Sequence, residues 1–366
     1  MSLNSIHVEL VTHNPPGTVS GIGRFVRELH RYLTPRIDVR IAPDIAPPLA
    51  DRVSILQHFP VGVQGHKPGA ILHFTQIMGC AQRLWRPIRP AVATVHDLGV
   101  LVCPEDEVLF DPIGRRVLDA QFAGLRRMDQ YAVNSERTRR DLIEKLGVRD
   151  DRIHFVQLGV ELDTFRIIPD ARAQIAARYN LHPLEGGFDL IYVGSELPRK
   201  NFNLLLQAVA ALKARGYRLR LFKIGGAGGD QWRARTLAEI ERLNLKAEIV
   251  FPGVVPEADL PVFYNAADLA VTPTLLEGGF AWLAMEAMGC GKPVVASEPA
   301  AIPLEAREAV EVVEARSLDA LTAAIARLLD SPDTRQRMGE AGARIIQRYT
   351  WEATAEAMID VYKKVL

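Results

Sequence analysis

The chain opens with a repeating pattern in which short apolar runs are followed by stretches of helical, amphipathic period. The run IHVELVTH at the N-terminus precedes a glycine-bearing loop and a helical pattern near 22–34. Buried strands that alternate with helices are typical of parallel sheets covered on both faces. The first half is therefore predicted to be one α/β domain, residues 1–165. Its further predicted strands lie near 70–76, 91–97, 131–135 and 153–159, and its further helices near 108–128 and 135–147.

The same pattern restarts at FDLIYVG, residues 188–194, after a stretch with proline and paired glycines. That stretch, 166–186, is predicted to be a linker. The strands LRLFKIGG, EIVFPG, LAVTPT and PVVAS then alternate with helices and predict a second α/β domain over 187–348. The tail, 349–366, is predicted to be one more helix that packs back toward the first domain. In open sheets of this kind ligands bind at the carboxyl ends of the strands.

Composition narrows the class of protein. The 366 residues suit two domains, and 44 basic residues balance 44 acidic ones, so nothing favours nucleic-acid binding. Three cysteines make neither a disulfide framework nor a metal spacing. The start MSLNSIHVELVTH lacks the basic and long apolar regions of a signal peptide, and no apolar run reaches the roughly 18 residues of a membrane span. A cytoplasmic protein is expected.

The strongest candidate for chemistry is TPTLLEGGFAWLAMEAMGCGKPVVAS, residues 272–297. It places Glu277 at the end of a strand, follows it with Gly278 and Gly279, and continues into a helix predicted to begin near Phe280 and to contain Glu286. A helix N-terminus favours anions, and carboxylates accept hydrogen bonds from hydroxyl groups. The stretch therefore suits a sugar nucleotide. From spacing alone, a surface helix with two solvated glutamates explains it equally well.

A second candidate is YVGSELPRKNFNLLLQAV. A strand ends at Gly194 and Ser195, and Arg199 and Lys200 arrive just before the next helix. Two cations beside a helix N-terminus suit a pyrophosphate, with lysine as a point charge and arginine as a fork. Two solvated cations are the alternative.

Three other stretches carry weaker signals. Gly21 and Gly23 lie in the first strand-to-helix loop and could admit a donor phosphate, or could simply make the turn. His96 stands at a strand end, beside Asp97, which is expected to order the loop. GGAGGD at 225–230 lacks the dinucleotide spacing and is interpreted as a loop with a donor contact, not as an NAD site.

The stretch LLEGGFAWLAMEAMGCGKPVVAS resembles the signature of the family-4 retaining glycosyltransferases, which have the GT-B fold. The resemblance implies two Rossmann-like domains with parallel sheets facing a central cleft. It implies that Glu286 binds the ribose and that Glu277 serves the transferred sugar. The family usually has seven residues between these glutamates, whereas this chain has eight, so the reach of Glu277 is the open point.

The resemblance also assigns residues outside that stretch. Lys200 falls on the family's diphosphate-binding lysine, and Ser195 stands where the family often has arginine, so Arg199 is expected to supply that charge. His96 corresponds to a histidine that contacts the transferred sugar. The base is expected beside the backbone of Val254 and Val255. Leu158 occupies the place of a family asparagine, so no role is carried over to it.

These residues imply a hexosyltransferase that uses a nucleoside-diphosphate sugar and no other cofactor. GDP-mannose is the first expectation for the donor and a UDP-hexose the second, with a saccharide or lipid-linked acceptor. No Asp-x-Asp stands at a strand end, so a metal-independent reaction is expected. Because Glu277 and Glu286 both belong to the diphosphate-binding domain, on the leaving-group side, a front-face route is expected. The alternatives are a transferase-like protein that binds nucleotide sugar without transferring it, and a nucleotide-sugar epimerase.

The acceptor side has one candidate run, AQRLWRPIRPAV, in which Arg83, Arg86 and Arg89 surround Trp85. Such a run could hold a lipid-linked pyrophosphate and give peripheral contact with the inner face of a membrane. A solvated loop with one anchoring aromatic residue is the favoured interpretation.

Overall fold

The computed structural model describes residues 5–12, 20–45, 62–63, 66–85, 90–102 and 112–366. The chain divides into two compact units. Unit 1 comprises Met1–Gly159 together with Thr350–Leu366, and unit 2 comprises Val160–Tyr349.

Unit 1 contains one sheet in the order β3-β2-β1-β4-β5-β6-β7, parallel except for the pairing of β3 with β2. The inner strands are apolar and almost wholly inaccessible, which is expected of a parallel sheet covered on both faces. The strands are β1 (His7–Thr12), β2 (Asp38–Ile45), β3 (Gly62–Val63), β4 (Ile71–Phe74), β5 (Ala91–Val95), β6 (Gln130–Val133) and β7 (Ile153–Phe155).

The helices that follow these strands are α1 (Gly21–Leu33), α2 (Gly99–Val102), α3 (Pro112–Leu125) and α4 (Glu136–Leu146). Serine caps begin two of them: Ser20 Oγ accepts from the backbone N–H of Gly23 at 3.0 Å, and Ser135 Oγ accepts from that of Thr138 at 3.1 Å. Each cap satisfies an N–H group that has no partner within its helix. Strand β2 and the short β3 were not predicted.

Unit 2 contains a parallel sheet in the order β10-β9-β8-β11-β12-β13. The strand order reverses between β8 and β11, which is where open α/β sheets bind ligands. The strands are β8 (Phe188–Val193), β9 (Leu219–Ile224), β10 (Ile249–Gly253), β11 (Leu269–Thr272), β12 (Val294–Ser297) and β13 (Val310–Val313). The helices are α5 (Ala171–Tyr179), α6 (Phe202–Ala214), α7 (Asp230–Arg242), α8 (Leu260–Ala266), α9 (Trp282–Gly289), α10 (Leu318–Asp330) and α11 (Pro332–Ile345).

The segment 166–186, predicted to be a linker, is part of unit 2. Its centre is helix α5, whose Ala171 and Ile175 are buried in the core of that unit. Arg172 fixes the helix further through an ion pair with Asp268, at 2.7 Å between Nη2 and Oδ1. The prolines and paired glycines that suggested a linker lie on either side of this helix.

The last helix, α12 (Trp351–Lys363), belongs to unit 1. Trp351 and Tyr362 are buried, and the hydroxyl group of Tyr362 is hydrogen-bonded to Nδ1 of His73 on β4 at 2.7 Å. The other ring nitrogen of His73 is bonded to Thr94 Oγ1 on β5 at 2.7 Å. Burial, with the nearby His96 adding to it, lowers the pKa of His73 to about 3, so this imidazole is neutral.

Among the residues that the structure describes, no helix is long and apolar enough to cross a membrane.

Candidate functional site

Two loops meet at the point in unit 2 where the strand order reverses. We call them the β8 loop (residues 194–201) and the β11 loop (residues 273–281). The carbonyl oxygen of Arg199 accepts from the backbone N–H of Leu275 at 2.7 Å and from Thr274 Oγ1 at 3.0 Å. Asn201 Nδ2 donates to the carbonyl of Pro273 at 3.0 Å. The two loops are therefore bonded to each other along their backbones.

An ion pair joins the charged side chains of these loops. Lys200 Nζ donates to Glu277 Oε1, and the two side chains are 21% and 19% exposed. Sequence reasoning named both residues, and the structure brings them into contact. Because both side chains are partly accessible, a ligand at this end of the sheet can reach them.

The backbone of the β11 loop is also held from its other side. The N–H groups of Glu277 and Ala281 donate to the carbonyls of Pro299 and Ala300, each at 3.1 Å. Phe280 is buried, and its ring packs edge-on against Tyr349 with centroids 5.2 Å apart. Phe280 is thus a core residue here, and the helix predicted to begin near it begins two residues later, at Trp282. Gly278 and Gly279 are buried between these anchored positions.

Glu286 lies on α9 and is only 4% exposed. Its Oε2 accepts a hydrogen bond from the hydroxyl group of Tyr264 on α8 at 2.6 Å. Burial, with the charge of Glu286 adding to it, raises the pKa of the Cys290 thiol. The tyrosine partner was not predicted, since nothing in the sequence marks it.

The β8 loop begins with two residues that were predicted to approach the donor. The backbone N–H of Gly194 donates to the carbonyl of Ile224 at 3.0 Å, and the carbonyl of Ser195 accepts from Tyr192 OH at 2.6 Å. Burial raises the pKa of Tyr192, and the negative charges of Glu277 and Glu196 add to that effect. This hydroxyl therefore stays protonated and keeps the loop in place.

Sequence reasoning missed a second charge cluster beside the β8 loop. Lys223 Nζ lies 3.1 Å from Glu196 Oε1, and Arg233 Nη2 lies 2.8 Å from the same oxygen. Burial lowers the pKa of Lys223, and the carboxylate of Glu196 opposes that effect. A lysine in the middle of the apolar strand LRLFKIGG was the available signal.

The loop after β10 was predicted to receive the base. Val255 is buried, whereas Val254 is 62% exposed. The backbone carbonyl of the preceding Gly253 accepts from the N–H of Gly225 at 2.9 Å, which connects this loop to the loop that follows β9.

In unit 1 the structure locates His96 directly after β5. Its ring meets Phe25 edge-on at 4.8 Å, and its Nε2 is buried without a hydrogen-bond partner among the described residues. Burial lowers the pKa of His96, and the charge of Asp97 opposes that effect. Asp97 Oδ1 accepts from the N–H of Gly99 at 2.8 Å, which orders the loop.

Two predictions in unit 1 need correction. Gly21 and Gly23 were expected in a loop, but they lie in the first turn of α1, and the N–H of Gly23 is already bonded to its serine cap. Arg83 was grouped with a solvated loop, but it is buried and its Nη2 donates to the carbonyl of Arg127 at 2.8 Å. Trp85 is 43% exposed, and Arg86 and Arg89 lie outside the described residues.

Over the described ranges, no group of three or more histidine, cysteine or acidic side chains could hold a metal ion. Cys80 and Cys290 are buried free thiols, and Cys103 lies outside those ranges.

Two doubly wound α/β units, one with cations and carboxylates at its reversal point, are typical of proteins that bind nucleotides at the carboxyl ends of their strands. Comparison with known families agrees with this class. Residues 178–345 match the family described as "Glycosyl transferases group 1", and residues 63–164 match "Glycosyltransferase Family 4". Together these ranges cover most of the chain. Both of these family models describe glycosyltransferases.

Named relatives support the same family. A D-inositol 3-phosphate glycosyltransferase of Segniliparus rotundus is 30% identical over 76% of this chain and 61% of its own length. The O-antigen chain mannosyltransferase B of Escherichia coli is 29% identical over 75% of this chain and 70% of its own length. The chain thus spans about three fifths of the first of these relatives.

Solved structures share the fold. A sucrose-phosphate synthase from Thermosynechococcus elongatus superposes with a TM-score of 0.79 at 22% identity, and 98% of each chain is covered. The Anabaena protein HepE in complex with UDP-glucose gives a TM-score of 0.74 at 16% identity, with 99% of this chain and 100% of that chain covered. The predicted GT-B fold is confirmed.

Proposed function

We propose that this protein is a retaining hexosyltransferase that moves a sugar from a nucleoside diphosphate to a saccharide or lipid-linked acceptor. The observation that carries the proposal is the Lys200–Glu277 ion pair at the reversal point of the unit 2 sheet. A cation bound to a carboxylate at that position offers a charge for a diphosphate and an acceptor for sugar hydroxyl groups.

Each site residue has a proposed part. Lys200 and Arg199 hold the diphosphate, and their fixed positive charge stabilises the leaving group as its negative charge grows in the transition state. Glu277 accepts from a hydroxyl group of the transferred sugar. Glu286, oriented by Tyr264, accepts from the ribose. His96 is proposed as a contact of the transferred sugar, on the strength of the resemblance.

The proposed reaction is a front-face substitution without a metal ion. The acceptor oxygen bonds to the anomeric carbon, the bond from that carbon to the diphosphate oxygen breaks, and the acceptor's proton passes to a leaving-group oxygen. A double displacement needs a carboxylate on the face opposite the leaving group. Glu286 is buried against Tyr264, and Glu277 is bonded to Lys200, which is proposed to hold the leaving group itself. Neither suits that role.

Mannose from GDP-mannose is the first proposed donor, and a hexose from UDP-hexose is the second. One relative is named an O-antigen chain mannosyltransferase, which favours the first. A solved structure of similar fold holds UDP-glucose, which keeps the second open.

A donor panel tests the function. The purified protein is incubated with GDP-mannose and with UDP-hexoses, with and without simple saccharide acceptors, and nucleoside diphosphate release is measured with and without a chelator. Release that depends on one donor and an acceptor and survives the chelator supports the proposal. Binding without release supports the non-transferring alternative, and a changed sugar on an intact nucleotide supports an epimerase.

Stereochemistry tests the mechanism. The glycosidic product should keep the donor's α configuration in its NMR coupling constants. A β product, or a sugar found covalently attached to a side chain by mass spectrometry, would refute the front-face route.

A further inference from the structure

A buried lysine stands at the carboxyl end of β9, next to the proposed diphosphate site. The side chain of Lys223 is fully inaccessible. Its Nζ donates to the backbone carbonyls of Gly225 and Gly226 at 2.8 and 2.9 Å, and lies 3.1 Å from Glu196 Oε1. One ammonium group therefore holds three oxygen atoms. The two glycines belong to the segment that we call the β9 loop, residues 225–229.

These contacts join the β9 loop to the β8 loop, which carries Arg199 and Lys200. The joint has a backbone component as well, because the N–H of Glu196 donates to the carbonyl of Ala227 at 2.8 Å. The fit is close: a Cβ on Gly228 would lie 3.1 Å from Leu197 Cγ and 3.3 Å from Ser195 Cβ. Lys223 thus lies under a joint between two loops at the end of the sheet.

The carboxylate of this cluster is shared with a second cation. Arg233, in the first turn of α7, approaches Glu196 Oε1 at 2.8 Å, and its guanidinium stacks on Phe251 at 4.4 Å from the ring centroid. The cluster therefore connects the β8 loop, the β9 loop, α7 and β10. An apolar residue at position 223 could fill the space, but it could not fix carbonyl groups in one orientation.

A second ion pair joins strands β8 and β9 at their amino ends. Arg220 of β9 binds Asp189 of β8 through two hydrogen bonds of 2.7 and 2.9 Å, and both side chains are largely buried. Like the Lys223–Glu196 pair, it is largely buried, but its two residues lie at the ends of β8 and β9 that are far from the β8 and β9 loops. Comparing the two pairs therefore distinguishes the effect of losing any buried ion pair from the effect of losing the one at the carboxyl end of β9.

We propose that Lys223 is a positioning residue: it fixes the β8 loop against the β9 loop so that Arg199 and Lys200 are held ready for a nucleoside diphosphate. This rests on the proposed function, since the diphosphate is the ligand being served. Lys223 itself does not contact the diphosphate. It acts through Glu196 and through the two carbonyl groups.

The test uses Lys223→Met and the control Arg220→Met in the full chain, with UDP and GDP as probes in calorimetry. We expect Lys223→Met to weaken diphosphate binding by about tenfold, the scale expected when one of the two cations of the β8 loop no longer reaches its ligand. We expect Arg220→Met to lower the melting temperature while changing the affinity less than about twofold. Equal affinity losses in the two variants would overturn the proposal.

Thermal stability distinguishes positioning from folding. In Lys223→Met the carboxylate of Glu196 keeps Arg233 as its cation, 2.8 Å away, so no charge is left unpaired and the melting temperature should fall no more than in Arg220→Met. The tether to the carbonyls of Gly225 and Gly226 is lost, so the affinity should be low all the same. If the affinity of Lys223→Met falls only together with a much larger loss of stability than in Arg220→Met, Lys223 is merely structural and the proposal fails.

Hydrogen exchange provides a readout that does not depend on any ligand. In Lys223→Met the amide of Glu196, which bonds across the joint, should exchange faster than in the Arg220→Met control. An unchanged exchange rate for the Glu196 amide would refute the proposed tether, even if nucleotide binding were normal. Conversely, faster exchange in a protein that binds neither UDP nor GDP would support the tether and refute the proposed function.

Discussion

The ion pair between Lys200 and Glu277 makes a sharp prediction about charge. Any diphosphate that binds Lys200 meets a carboxylate already bonded to that ammonium group. Replacing Glu277 by Gln removes one negative charge while keeping the shape of the side chain. We therefore expect Glu277→Gln to bind the free nucleoside diphosphate more tightly than the wild type does.

The magnitude follows from distance and exposure. Two unit charges about 6 Å apart interact by roughly 3 kcal/mol at an effective dielectric constant near 20. The side chains of Lys200 and Glu277 are 21% and 19% exposed, so water and salt screen part of the repulsion between the diphosphate and the carboxylate. About 1 kcal/mol remains, which corresponds to roughly fivefold tighter binding. Lys200→Met should act in the opposite direction, by about tenfold, because it removes a charged hydrogen bond.

The assay is calorimetric titration of UDP or GDP, whichever the wild type binds, at low and at raised ionic strength. The gain in Glu277→Gln should shrink as salt is added. Glu248→Gln is the control, because Glu248 pairs with Lys213 at 2.7 Å in the same unit with similar burial of its carboxylate. Turnover of the sugar donor should fall in Glu277→Gln despite the tighter diphosphate. Wild-type or weaker diphosphate affinity in Glu277→Gln would refute the reasoning.

Three further outcomes are expected. Tyr264→Phe removes the 2.6 Å bond to Glu286 and should weaken nucleoside diphosphate binding and lower stability by about 1–3 kcal/mol, measured by calorimetry and urea unfolding; unchanged values would separate this pair from the site. Gly339→Ala puts a Cβ 2.2 Å from the carbonyl oxygen of Gly291 and should lower the free energy of unfolding by about 1–3 kcal/mol. His73 has a pKa of about 3 in the folded protein, against about 6.5 in the unfolded chain. Between these values the unfolded state binds more protons, so the free energy of unfolding falls as the pH drops from 6.5 toward 3. His73→Gln should flatten that fall, as measured by urea titrations at several pH values.

Much of the fold could be predicted because parallel strands are buried on both faces. The strand Ala91–Val95 is wholly buried and apolar except for Thr94, and a short apolar run of this kind before a turn is typical of a buried strand. The meeting of Lys200 with Glu277 was within reach for a related reason. Both follow strands that flank the reversal of strand order, and side chains at such strand ends gather on one edge.

The missed elements depend on partners that are distant in sequence. Strand β2 contains Asp38, Arg40 and Pro43 and does not look like a buried strand. It is secured by Arg40, whose Nη2 reaches Glu9 Oε1 on β1 at 2.6 Å. Burial opposes ionisation of Glu9, but its hydrogen bonds, led by that from His66, leave its pKa lowered. No local sequence pattern predicts such a pairing.

The site residues that escaped prediction did so for the same reason. Tyr264 looks ordinary within its own helix and gains its significance from a carboxylate elsewhere in the chain. Lys223 stands out in its apolar strand, but the strand gives no indication that its partner is Glu196. Arg83 was misjudged as solvated because it was grouped with Arg86 and Arg89 in one arginine-rich run around Trp85. Its actual partner is the carbonyl of Arg127, on a segment that a sequence window does not join to it.

The course of the chain through the two units has a consequence for synthesis. Unit 2, Val160–Tyr349, is continuous, whereas unit 1 needs both Met1–Gly159 and Thr350–Leu366. Because a chain emerges from the ribosome from its N-terminus, unit 2 can close as soon as Tyr349 is out, and domains generally fold as units. Unit 1 has to wait with Nδ1 of His73 unpaired until Tyr362 is synthesised. The half of the chain made first is therefore the half completed last, because its seven strands lack the cover of α12 while unit 2 is being translated.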